Sequence, residues 1–387
     1  MNESPDPLAR FRAASAAREA AGLRRTLRAR TPDGDGLIDL ASNDYLGLAG
    51  DARLAEAATA AVRTWGTGST GSRLVTGSTA LHAALEERLR AFAQAEGALV
   101  FSSGYLANLA AVATLGGNAL VVSDAGNHAS IVDACRLSRS RVVVTPHRDV
   151  TAVEKALAGR DTEHAVVVTD AVFSVDGDLA PLADLHAAAV RQGALLIVDE
   201  AHSIGVIGPR GQGAVHAAGL AGEPGIVRTV TLSKSLGSQG GAVLGAREVI
   251  ETLMDTGRPF IFDTGLAPGC VAAALAAVDI LHNQPELPGY VRTTARELAS
   301  MARELGLETH DPAGAVVPIV LGPPETALRA AVICAEHGVR AGCFRPPSVP
   351  AGRSCLRLTA RANLSSDDLA VIRGALTAVA EMMKVTM

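Results

Sequence analysis

From residue 79 onward, short apolar runs alternate with longer amphipathic stretches. The runs at 98–101, 119–123, 141–145, 165–170, 194–199 and 227–232 are four to six residues long and carry almost no polar alternation. Runs of that kind are strands buried on both faces, as in a mostly parallel sheet covered by helices. The stretches between them, at 79–94, 105–115, 129–137, 151–158 and 181–192, have helical spacing of their apolar residues. Alternation of the two kinds of element predicts an open α/β sheet. In such a sheet ligands bind beyond the carboxyl ends of the strands.

The chain before this region is less regular. Residues 8–30 have Leu8, Phe11, Ala14, Leu23 and Leu27 on one side and arginines on the other, and predict an amphipathic helix. Pro32 and the run Asp33-Gly34-Asp35-Gly36 end it. A short strand at 37–40, a polar turn over 42–47 and a helix at 51–64 follow, then a loop rich in glycine and hydroxyls from Gly66 to Gly77. Beyond a long helix at 267–283, Pro285 and Pro288 mark a boundary. The remainder predicts helices at 289–306, 325–337 and 366–383 and strands at 316–321, 339–344 and 355–359, a smaller α+β domain. The expected division is an N-terminal helical segment at 1–40, a large α/β domain at 41–284 and a small C-terminal domain at 285–387.

A chain of 387 residues can bury a large core. Its net charge of −5 and its 3% aromatic content point away from nucleic acid and anionic membranes as partners. Cys135, Cys270, Cys334, Cys343 and Cys355 are scattered without a C-x-x-C pair, so a reducing cytoplasm is expected and no metal site. The N-terminus lacks a secretory apolar core, and no segment has the length of a membrane span.

Lysine occurs only at Lys155, Lys234 and Lys384 among 35 basic residues. Lys234 stands between two serines, after an apolar run and before Gly237-Ser238-Gln239-Gly240-Gly241. Arginine stays protonated, whereas lysine can lose its proton and act as a nucleophile or base. The commonest use of such a lysine is a Schiff base with a carbonyl cofactor, pyridoxal phosphate above all.

Other polar residues fall at the ends of the same strands. Ser102-Ser103-Gly104-Tyr105 opens a helix, where backbone N–H groups can hold a phosphate; an ordinary N-cap is the competing reading. His128 lies at a loop-to-helix junction, where it could stack on a flat ring or simply cap. Asp199 ends a fully apolar strand, which is costly without a partner charge, and a pyridinium nitrogen is such a partner. His202 follows three residues later, within reach of a phenolic oxygen. The stretch Asp199-Glu200-Ala201-His202 also spells a helicase motif, but no G-x-x-x-x-G-K-[ST] loop accompanies it.

With these residues in this order, the chain resembles the α-oxoamine synthase family of fold-type I pyridoxal-phosphate enzymes. The stretches that carry the resemblance include Ser42–Leu48, Phe101–Asn108, Phe173–Pro181, Val198–Gly208, Thr231–Gly241 and Cys343–Gly352 with Leu356-Arg357-Leu358-Thr359. The resemblance implies an acyltransferase that condenses L-alanine with a pimeloyl thioester, carried by CoA or acyl carrier protein, with loss of CO2, in biotin biosynthesis. It implies a Schiff base between Lys234 and pyridoxal 5'-phosphate, with Lys234 also moving the α-proton. Asp199 would pair with the ring nitrogen, His202 with the phenolic oxygen, and His128 would stack on the ring. Gly104, Tyr105, Ser174 and Thr231 would hold the cofactor. Thr264 would reach the phosphate of a second subunit, because the family forms homodimers with shared sites. Arg357 and Asn43 would bind the amino-acid carboxylate, and Arg24 and Ser348 would contact substrate. Asp170 departs from the glutamate common in relatives, and Ser348 from threonine. Within the family, glycine C-acetyltransferase, 5-aminolevulinate synthase and serine-using activities compete; an aminotransferase would share Asp199 and Lys234.

Overall fold

The computed structural model describes residues 6–21, 23–25, 27, 29, 31 and 34–386. Two sheets organise it. The larger holds seven strands: β2 (Gly97–Phe101), β3 (Leu120–Asp124), β4 (Arg141–Thr145), β5 (Ala165–Asp170), β6 (Leu195–Asp199), β7 (Ile226–Thr231) and β8 (Gly241–Gly245). Their order is β2-β8-β7-β6-β5-β3-β4. Every neighbouring pair is parallel except those made by β8, which runs antiparallel to β2 and β7.

The apolar runs form these strands because both faces of the sheet are covered. Along β5, Val166 and Val168 pack into one core cluster while Ala165 and Val167 pack into the other. Along β6, Ile197 faces one side and Leu196 and Val198 the other. Each such side chain contributes about 1.5–3 kcal/mol of burial, and a polar residue at any of them would lose that term and add a desolvation cost.

The smaller sheet has four strands: β1 (Ile38–Leu40), β9 (Val316–Gly322), β10 (Val339–Phe344) and β11 (Ser354–Thr359), in the order β1-β10-β11-β9. β1 pairs parallel with β10, Ile38 opposite Val339, so the N-terminal part of the chain is tied to the C-terminal strands. Long helices, Leu287–Glu304, Pro324–Glu336 and Ser366–Thr386, belong to this C-terminal part.

The N-terminal helix is shorter than the sequence suggests. It spans Ala9–Ala20 and none of its residues is buried. Its apolar stripe meets no core, so nothing extends it toward residue 30. Residues 22, 26, 28 and 30 and the Pro32-Asp33 break lie outside the described residues. Among the described residues no helix is long and apolar enough to cross a membrane.

The register decides where the chemistry lies. Asp170 at the end of β5 pairs with Asp199 at the end of β6, and Asp199 in turn with Thr229 of β7. Parallel strands ending level bring residues far apart in sequence to one edge of the sheet.

Candidate active site

A cavity of about 260 Å³ opens at that edge. Gly104, Tyr105, His128, Asp170, Asp199, His202, Thr231 and Lys234 all contribute to its walls.

Lys234 reaches the cavity from the turn after β7. Ser235 anchors that turn by donating from Oγ to the Ile204 carbonyl at 2.6 Å. Gly237 closes it with φ +57°, and a Cβ there would sit 2.7 Å from the Ala49 nitrogen. Only glycine combines that conformation with that approach. Lys234 Nζ lies 2.7 Å from His202 Nε2. Burial pushes its pKa down to about 8, against the opposing pull of Asp199 and Asp170 and with a further push from Arg357. A lysine so placed has a usable fraction of neutral amine near neutral pH.

Asp199 is 7% exposed. Asn108, on helix Gly104–Leu115, donates to its Oδ2 at 2.6 Å, and the Ala201 N–H donates to Oδ1 at 2.8 Å. Asn108 Oδ1 accepts from Thr229 at 2.6 Å, which fixes the orientation of the amide. The second amide hydrogen goes to Ser130 Oγ at 2.8 Å, and Ser130 Oγ stands 2.7 Å from His128 Nδ1. Asp199 and His128 are thereby set by one side-chain network. Among the described residues no cation lies within ion-pair distance of Asp199. His128 is held below its usual pKa by burial, opposed by the attraction of Asp199. Asp170, 2% exposed, is raised well above the usual carboxylate range by burial and by the neighbouring Asp199. Burial and the neighbouring Asp199 therefore favour the protonated form of Asp170.

The start of helix Gly104–Leu115 forms another wall. Ser103 caps it, accepting from the Leu106 N–H at 3.1 Å. The N–H groups of Gly104 and Tyr105, in the first turn, have no intrahelical partner. A Cβ at Gly104 would stand 3.0 Å from Thr231, and one at Gly241 2.5 Å from the Gly104 nitrogen. The two glycines let strand, helix start and Thr231 converge, a geometry suited to an anion. Tyr105 is 43% exposed and donates its hydroxyl to Asp133.

Arg357 approaches from β11 of the smaller sheet. It is 4% exposed, donates from Nη1 to the Ser174 carbonyl and from Nη2 to Asn43 Oδ1, both at 2.8 Å, and stacks over Phe344 at 4.6 Å. Its Nε has no hydrogen-bond partner. Burial lowers its pKa. A buried guanidinium with neutral neighbours and one open donor suits a carboxylate.

The remaining expected residues lie elsewhere in this chain. Ser174 meets Arg357 through its carbonyl and does not line the cavity. Thr264 is exposed, bridged to Ser72. Arg24 is exposed and paired with Glu19, and Ser348 is exposed in the loop after β10.

Sequence reasoning overlooked three residues. Asn108 and Tyr45 sit inside stretches quoted for the family resemblance, and Tyr45 is one of only three tyrosines. Arg228, 3% exposed in the middle of β7, pairs with fully buried Glu200. An arginine inside an apolar run, 28 positions after a carboxylate that follows the preceding strand, was the available signal.

A family profile for aminotransferase class I and II matches residues 35–376. The chain is 59% identical to the 8-amino-7-oxononanoate synthase of Mycolicibacterium gilvum (strain PYR-GCK), over 96% of this chain and 97% of the relative. Among solved structures, SPT with PLP internal aldimine superposes with a TM-score of 0.92 at 31% identity, covering 98% of this chain and 100% of that one. The 8-amino-7-oxononanoate synthase of Francisella tularensis superposes with a TM-score of 0.78 at 26% identity, covering 91% and 99%.

Proposed function

The chain belongs to the aminotransferase class I and II family and, within it, to the 8-amino-7-oxononanoate synthases, and we propose that it condenses L-alanine with a pimeloyl thioester, releasing CO2 and the thiol carrier, with pyridoxal 5'-phosphate as cofactor. The product is 8-amino-7-oxononanoate, a step toward biotin. The observation that carries the reading is that Lys234 and Asp199 line one cavity at the edge of the large sheet, and that Arg357, from β11 of the smaller sheet, is joined to Lys234 through Asn43, Tyr45 and His202.

The donor set fits the cofactor. Lys234 Nζ would hold its carbonyl carbon, Asp199 its ring nitrogen, and His202 its phenolic oxygen. His128 would cover one ring face, and the glycine-lined helix start with Thr231 would take the phosphate. Tyr105 and Ser174 would complete the holding of it. When bound, pyridoxal phosphate supplies a carbonyl for amine exchange and a ring that accepts the charge left at the amino acid's α-carbon.

The residues of the chain do the rest. Arg357, with Asn43 beside it, grips the alanine carboxylate and fixes which bond at the α-carbon faces Lys234. The neutral amine of Lys234 takes the α-proton and returns it later. Asp199, held by Asn108 and the Ala201 N–H, would face the ring nitrogen and favour its protonated form. The α-carbon displaces the thiol from the acyl group, and the carboxylate leaves Arg357 as CO2. Ser348 and Arg24 would contact the acyl substrate. Thr264, outside its own chain's cavity, would serve the site of a second copy in a homodimer. Residues 41–284 and 285–387 would act as the large and small domains around that site, in the cytoplasm.

The test is incubation of the purified protein with each substrate pair. Equal release of CO2 and CoA from L-alanine with pimeloyl-CoA is expected. Turnover of L-serine with palmitoyl-CoA instead would move the chain to another branch of the family.

A further inference from the structure

Three side chains, Asn43, Tyr45 and His202, connect Arg357 to Lys234. Arg357 Nη2 donates to Asn43 Oδ1 at 2.8 Å. Tyr45 Oη donates to the same oxygen at 3.2 Å. Tyr45 Oη also lies 2.5 Å from His202 Nδ1, and His202 Nε2 lies 2.7 Å from Lys234 Nζ. Tyr45 is fully buried and His202 is 6% exposed, so the bond between them is shielded from water.

Counting protons restricts the arrangement. A phenol has one hydrogen, and the Asn43 oxygen accepts only. Arg357 always donates to that oxygen. If Tyr45 also donates to it, the Tyr45 oxygen accepts from His202 Nδ1–H, and Nε2 is left as an acceptor for Lys234. If Tyr45 turns its proton to Nδ1, then Nε2 carries the proton and donates to a neutral Lys234. The two arrangements differ in the histidine tautomer and in the form of Lys234 they favour. Burial first, and then the charges of Lys234, Arg357 and His128, oppose a doubly protonated His202 ring.

We propose that Tyr45 is a positioning residue that sets the tautomer of His202, holding the proton on Nδ1 while Asn43 is oriented by Arg357, so that Nε2 is presented as an acceptor to the site. The role goes beyond holding the cofactor. It makes the histidine that faces Lys234 answer to the group that grips the substrate carboxylate. Its consequence for turnover rests on the function proposed above, but the tautomer itself does not.

The test is ¹⁵N NMR of histidine-labelled full-length protein, prepared with and without pyridoxal phosphate. His202 is assigned by its disappearance in His202→Asn. In the wild type Nδ1 is expected at the position of a protonated nitrogen and Nε2 at that of an acceptor. Tyr45→Phe removes the oxygen that accepts from Nδ1, and the proton is expected to move to Nε2. Asn43→Ala keeps the phenol but frees its hydrogen to turn to Nδ1, and the same shift is expected. Should Tyr45→Phe fail to fold, the Asn43→Ala spectrum decides. A wild type already protonated at Nε2, or variants with the wild-type tautomer, would overturn the proposal. A protein that shows the expected tautomers but does not turn over alanine would leave it standing and remove the proposed function instead.

Discussion

Arg357 Nη2 donates to Asn43 Oδ1 at 2.8 Å, joining a strand of the C-terminal sheet to the turn that follows β1. The two residues are 314 positions apart in sequence, and the pairing of β1 with β10 is what brings them together. Arg357 is also a buried cation with no carboxylate partner among the described residues. Replacing it by alanine should raise the KM for L-alanine by about 30-fold or more, the scale of 2–5 kcal/mol for truncating a buried charge contact. The KM for pimeloyl-CoA should change little. Steady-state kinetics with each substrate varied separately checks this, and equal loss of both would remove Arg357 from the carboxylate role.

Lys234→Ala should abolish turnover and the visible absorbance of the bound cofactor while the far-ultraviolet circular dichroism stays as in the wild type. Retained turnover would sink the proposed role.

The cofactor-free protein offers a second measurement at the same residue. The folded-state pKa of Lys234, about 8, lies below its ordinary value of 10.5. Between these values the unfolded chain binds more protons than the folded one, so stability gains with rising pH across about 8 to 10.5. Below 8 the ammonium must be buried at a cost on the order of 3 kcal/mol. Lys234→Met should therefore raise the denaturation midpoint of the cofactor-free protein at pH 7 and lose that advantage by pH 10.5. Urea titrations at the two pH values check the sign.

Asp199→Asn keeps the size of the side chain and removes its charge. Turnover should fall by about 10²-fold or more, the scale for losing one preorganised charge at a reacting centre. Thermal stability should be nearly unchanged or slightly raised, because a buried carboxylate with no ion-pair partner among the described residues is replaced by a neutral amide. Scanning calorimetry beside kinetics separates the two effects.

Glu200 follows Asp199 but faces the other way. Its carboxylate meets Arg228, the Val215 N–H at 3.0 Å and Ser203 Oγ at 3.0 Å, and is 0% exposed. Arg228 in turn donates to the Ala93 and Gln212 carbonyls at 2.7 and 2.5 Å. Arg228→Ala leaves a buried charge unpaired and should cost about 3–5 kcal/mol of stability, with catalytic constants of the surviving folded protein little changed. Denaturant titration checks it.

Much of this was legible in the chain. The strands at 141–145 and 165–170 have the bounds read from their apolar runs, because burial on both faces leaves no other pattern for those residues. The strand β8 went unread. It begins at Gly241, which after Gly240 reads as part of a turn, yet Gly241 is there because the Gly104 nitrogen would lie 2.5 Å from any Cβ. Helices Arg247–Thr256 and Arg258–Ile261 beyond it went unread as well. Lys234, Asp199, His202 and His128 could be located from the ends of apolar runs. Tyr45 and Asn108 could not be given work, because their partners, His202 and Asp199, lie 157 and 91 positions away. Only tertiary register makes such pairs.

The most direct measurement is an absorbance titration of the protein carrying pyridoxal phosphate, first with amino acids and then with pimeloyl-CoA. The account predicts a visible band that changes on adding L-alanine, followed by CoA release only when the pimeloyl thioester is added. A protein supplied with the cofactor that develops no such band, or whose band is indifferent to L-alanine, would contradict it.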